Sequence, residues 1–113
     1  MEFEAFEKAV MDAILKDNIE QNPLLLHQYN SAKITSRKFT GHGFFTEFSI
    51  SKMEYMLPEG GNFELGCLGE LEGVQHGVGY VLFVRNGLIV TLEGYTYGEE
   101  WPKRIGSFSV STK

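Results

Sequence analysis

Three histidines, one cysteine and a scatter of glutamates are the residues most able to do chemistry in this chain. His27, His42 and His76 lack the short spacing of a zinc pair. Even joined by Glu70 or Cys67 they would have to converge through the fold, so neither a metal nor another cofactor is expected. His42 and His76 each lie beside glycines at a strand entrance, where loop-borne functional groups often sit. Glu64, Glu70 and Glu72 fall on one side of a single alternating segment, and Glu93 joins that side or the opposite one according to strand order. Paired carboxylates can run glycosidic hydrolysis, but the acid must be partly buried to raise its pKa, and alternation puts these on the wetter side. No catalytic set is therefore assigned. Cys67 has no basic neighbour to depress its pKa and is expected to be a small buried hydrophobe.

Gly41-His42-Gly43 and Gly77-Val78-Gly79 both precede strands, not the helix that a phosphate loop requires, and suit turns or bulges instead. No nucleotide, zinc-protease or nucleophile-elbow motif occurs. Tyr95, Tyr97 and Trp101, with Tyr80, are of the types enriched at interfaces and lie near a glutamate-rich block. Residues 58–100 hold seven acids and one base, whereas residues 101–113 hold three bases and no acid. His42, His76, Glu70, Glu93, Tyr95, Tyr97 and Trp101 are accordingly the candidate binding residues.

The elements that must carry them are legible from periodicity. All 13 glycines occur at or after Gly41. Before that point Phe3, Phe6, Val10, Ala13 and Ile14 share a narrow arc, predicting an amphipathic helix over 2–17 with Glu4–Lys8 and Asp12–Lys16 pairs on its surface. Asn22-Pro23 opens a shorter helix that ends near Asn30-Ser31. From Ala32 the period becomes two. Lys33–Phe39 reads as a polar edge strand, Phe44–Ile50 and Phe63–Leu71 as half-buried strands, and Asn86-Gly87 as a two-residue hairpin turn between Val78–Arg85 and Leu88–Thr96.

A regular register from that turn sets Phe83 opposite Val90, Val81 opposite Leu92 and Gly79 opposite Gly94, a face on which a helix could pack. Val84, Ile89, Leu82, Thr91, Tyr80, Glu93, Val78 and Tyr95 share the other face, where a protein partner or a second copy of the chain would cover Leu82, Val84 and Ile89. The expectation is a single α+β domain over 1–113, with two helices on one face of an antiparallel sheet of about five strands.

Charge and composition restrict function. With 10 basic and 15 acidic residues, net −5, the chain has no global grip on nucleic acid. Neither a spanning segment nor a signal peptide is read, and the lone cysteine fits a reducing compartment, so no membrane partner and a cytoplasmic location are expected.

The segments Phe39-Thr-Gly-His-Gly-Phe-Phe-Thr-Glu-Phe48, Gln75-His-Gly-Val-Gly-Tyr-Val-Leu-Phe83 and Leu92-Glu-Gly-Tyr-Thr-Tyr-Gly-Glu-Glu-Trp-Pro102 resemble parts of a family of short bacterial proteins without an established activity. The resemblance implies a small bacterial cytosolic protein and brings no site residues. The leading expectation is a non-enzymatic binding module, acting on a basic partner as small acidic immunity proteins do. The alternative is a small-molecule-binding or enzymatic domain with a pocket between helix and sheet, which needs a cavity of about 300 Å³ or more near His42 or His76.

Overall fold

The computed structural model describes residues 2–20 and 22–111. Helix α1 (Phe3–Asp17) and helix α2 (Pro23–Ser31) precede six strands: β1 (Lys33–Phe39), β2 (Gly43–Ser49), β3 (Phe63–Leu71), β4 (Val78–Arg85), β5 (Leu88–Thr96) and β6 (Phe108–Ser111). Every neighbouring pair in the sheet is antiparallel, in the order β1-β2-β5-β4-β3-β6. The α+β class, the two helices and the first five strands match the periodicity. The sixth strand is additional: Phe108 and Val110 alternate with serines, and only four residues pair with β3, too short a run to stand out as a strand.

Helix α1 buries Phe6, Glu7, Val10, Met11, Ile14 and Leu15. On its solvent side the ion pair that forms is Lys8–Asp12 at 2.9 Å, between the two pairs expected from spacing. Glu7 is the exception on the inner face. Its carboxylate accepts from Arg37 Nε at 3.0 Å and Nη2 at 2.7 Å, and from the Thr46 hydroxyl at 2.5 Å. Two parallel charge-assisted bonds plus a hydroxyl offset its desolvation and fasten α1 to edge strand β1. The bond to Glu7 also holds the Arg37 guanidinium above its ordinary pKa.

The hairpin turn is as expected. Asn86 and Gly87 have φ of 53° and 77°, the two left-handed residues of a type I′ turn. The register beyond it is not. Arg85↔Leu88 and Val84↔Ile89 pair regularly, then a bulge slips β5 by one residue, giving Phe83↔Thr91, Leu82↔Leu92, Val81↔Glu93, Tyr80↔Gly94 and Gly79↔Tyr95. The faces inferred from regular pairing are thereby corrected. Val78, Tyr80, Leu82, Val84, Ile89 and Leu92 form the buried face beneath the helices, and Val81, Phe83, Val90, Thr91, Glu93 and Tyr95 lie on the uncovered one. The cause is burial: a regular ladder cannot put both Ile89 and Leu92 inward, whereas one extra residue does so and turns Glu93 and Thr91 to water. The residues assigned above to a partner, Leu82, Val84 and Ile89, are covered by the chain's own helices.

Gln28 of α2 secures this irregular stretch and is fully buried. Its carbonyl accepts from Ile89 N–H at 2.8 Å, and its amide nitrogen donates to the carbonyls of Gly87 and Tyr55, each at 2.8 Å. All three partners are backbone groups near the hairpin tip. Gln28→Leu keeps the volume but leaves the Ile89 N–H and the Tyr55 carbonyl without this partner, the Gly87 carbonyl keeping its bond from Leu57 N–H at 3.1 Å, and should lower unfolding free energy by about 2–4 kcal/mol, since each buried unpaired group costs about 1–3 kcal/mol. Urea denaturation measures the loss, and amide exchange at Ile89 should accelerate; unchanged stability would remove Gln28 from this role.

Candidate functional site

At one end of the sheet three loops converge: the β1–β2 turn with His42, the β3–β4 turn with His76, and the segment leaving β5. Glu99 joins them. Its two carboxylate oxygens accept from the consecutive N–H groups of Gln75 and His76, each at 2.8 Å. Its carbonyl accepts from the Thr96 hydroxyl and meets His42 Nδ1 at 2.8 Å. The two histidines are thus neighbours of one residue, but one is engaged through its ring and the other through its backbone. Backbone donation from Gln75 and His76 lowers the Glu99 pKa.

The uncovered sheet face holds a second group. Alternation puts Phe45 and Glu47 of β2, Thr91, Glu93 and Tyr95 of β5, Val81 and Phe83 of β4, and Glu64, Leu68 and Glu70 of β3 on it. Glu70 and Glu93, left open by sequence alone, therefore share a face. Glu72 has left the strand and accepts from Ser107 N–H at 3.0 Å. Tyr95 lies flat over Gly79, where a Cβ would come within 2.3 Å of its ring. Its edge meets Tyr97 at 5.6 Å between centroids, and burial raises its pKa. Arg85 is bound by Glu64 at 2.7 Å and stacks over Phe83, whereas Lys33 and Lys38 stand on the outermost strand.

Trp101 belongs to neither group. It packs on the helix side, its ring 6.0 Å from Phe6 and 5.3 Å from Phe44, and its backbone N–H donates to the Gly41 carbonyl at 2.7 Å. There it walls a cleft of about 1150 Å³ between the start of α1, the β1–β2 turn and the 101–106 segment. Gly41 and Gly43, which flank His42, line this cleft, but neither histidine does. The volume exceeds what the small-molecule alternative needs. Phe3, Phe39, Lys103 and Arg104 also line it; by sequence alone Phe39 belongs to a polar edge, and Lys103 and Arg104 count only as net charge.

The remaining candidates are structural. Cys67 is buried, and desolvation pushes its thiol up to about 11. Tyr80 is buried against Phe6 with no hydrogen-bond partner for its hydroxyl among the described residues, and desolvation raises its pKa. His27 stacks on Tyr55, ring centroids 5.2 Å apart. Among the described residues no three His, Cys, Asp or Glu side chains converge as metal ligands, and no helix is long and apolar enough to cross a membrane. Comparison with protein-family models, curated proteins and solved structures finds no match.

The Glu99 bonds carry a pH signature. A carboxylate whose pKa is lower folded than unfolded stabilises the native state above the unfolded value of about 4.3, and that contribution is lost as pH falls through the folded value. Glu99→Gln should therefore unfold at lower urea than the parent at neutral pH, with the gap closing in acid. A gap that persists in acid would show that the carboxylate charge is not the cause.

Proposed function

We propose that this protein is a non-catalytic binding module that engages a basic protein partner through the uncovered face of its sheet, the neutralisation of a toxin-like protein included. The observation that carries this reading is Glu93, set at the middle of that face between Phe45 and Val81, whose carboxylate has no side-chain hydrogen bond or ion pair among the described residues. Around it, half-exposed apolar side chains mix with Glu47, Glu64 and Glu70, and the Tyr95–Tyr97 pair stands at one end. Aromatic residues supply contact area, and an unpaired central carboxylate selects for Lys or Arg and speeds encounter. A second copy stacked on this face by a two-fold axis would oppose its own glutamates, which favours a basic partner over self-association. Lys33 and Lys38 lie on the margin and Arg85 is already neutralised.

A second reading, small-molecule binding, is favoured by one specific observation, the cleft walled by Trp101.

The first reading is tested by capture from an extract of the source cells at low salt, with release by added salt. A basic protein should be recovered. The Glu93→Lys/Glu70→Lys variant, in which neither replaced side chain serves the fold, should weaken its binding by at least about tenfold, or ~1.4 kcal/mol. Lys16→Glu, on the opposite surface, should leave binding unchanged. Absence of a salt-releasable partner, or capture indifferent to charge reversal on the face, would overturn the proposal.

A further inference from the structure

The cleft at the end of the sheet has a chemical character of its own. Phe3, Phe39 and Trp101 line it: Phe39 meets Phe3 edge to face at 5.1 Å, and the buried Phe44 stands behind, 4.9 Å from Phe3 and 5.3 Å from Trp101. Phe39 is 57% exposed although it belongs to that wall, so one side of the wall has no cover. Edge-to-face rings of this kind accept a further planar ring, whose face or edge completes the set. Beside them Lys103 and Arg104 line the same cleft, both exposed, and neither has an ion-pair partner among the described residues. Glu72, which also lines the cleft, is turned to the Ser107 amide, and its side chain packs against Gly106, where a Cβ would lie 2.4 Å from its oxygen.

From this juxtaposition of open aromatic rings and unpaired cations, we infer that the cleft binds an aromatic monocarboxylate, with the ring system against Phe39, Phe3 and Trp101 and the carboxylate on Arg104 and Lys103. Arg offers a planar fork to a carboxylate, and Lys adds a flexible point charge. Glu2 and Glu72 on the rim oppose a dianion such as a phosphate monoester, which restricts the ligand to a single negative charge. A cleft of about 1150 Å³ has room for a fused or two-ring body. The inference rests on the second reading and is independent of the sheet face.

The chain has one tryptophan, so its indole N–H gives a single resonance that reports directly on the cleft. Titration with 2-naphthylacetate should shift that resonance saturably. The uncharged 2-naphthylacetamide should bind about tenfold more weakly, as expected for loss of a charge-assisted contact. Lys103→Ala/Arg104→Ala should remove the preference for the acid, and Phe39→Ala should weaken acid and amide alike. All three residues are exposed, so these variants should fold normally. Glu93→Lys/Glu70→Lys should bind the acid as the parent does, which separates failure of the cleft from failure of the face. No saturable shift, equal binding of the amide, or insensitivity to the cation variant would overturn the inference.

Discussion

A single buried amide decides which way the sheet faces. Gln28 bonds Ile89 N–H and the carbonyls of Gly87 and Tyr55, so helix α2 is fastened to the hairpin where β5 leaves regular pairing. Glutamine suits the position because it both donates and accepts, so it can satisfy an N–H and carbonyls together. From that clamp onward the bulge carries Leu92 inward and Glu93 outward. The order of events along β5 therefore determines both the core beneath the helices and the chemistry of the uncovered face.

Most of the architecture was legible in sequence, and what was not has a common cause. The switch in period at Ala32, the proline opening α2 and the Asn86-Gly87 turn located both α-helices and the five strands up to Thr96, because each signal is local. The bulge is not local in that sense. Nothing between Leu88 and Thr96 differs from a plain alternating strand, and the slip is favoured only once the helices define an inside, with Gln28 there to satisfy the freed backbone. The same limit applies to Glu7, which reads as a surface acid until Arg37 and Thr46, from strands far along the chain, are brought to its carboxylate. Strand β6 was missed because its four residues gain meaning only beside Leu71 and Gly69.

The candidate residues divide for related reasons. Sequence proximity groups Glu93, Tyr95, Tyr97 and Trp101, but the chain turns after Thr96 and takes Trp101 to the helix side, where Phe6 and Phe44 receive it. Glu99, at that turn, ties the departing segment to the two histidine-bearing loops through backbone donors of one and the ring nitrogen of the other. The sequence leaves open whether His42 and His76 share a neighbourhood; the fold brings both to Glu99, which carries no signal beyond being one glutamate among several. Its role is positional: it fixes the loop from which Trp101, Lys103 and Arg104 are presented.

The two surfaces that result differ in charge: the sheet face is acidic, whereas the cleft at the end of the sheet sets Lys103 and Arg104 beside Glu2 and Glu72. The uncovered face gathers carboxylates from β2, β3 and β5, while the cleft gathers the cations that follow Trp101, so the net charge of −5 conceals a separation of sign. Fields from exposed charges fade over about 10 Å at ordinary ionic strength, so the charges nearest an approaching molecule dominate at each surface. On the proposed readings, a basic macromolecule would meet the carboxylates of the sheet face first, and a small anion would meet Lys103 and Arg104. One small chain can therefore offer two chemically distinct surfaces, because the bulge in β5 and the Glu99 junction after it keep their charges apart.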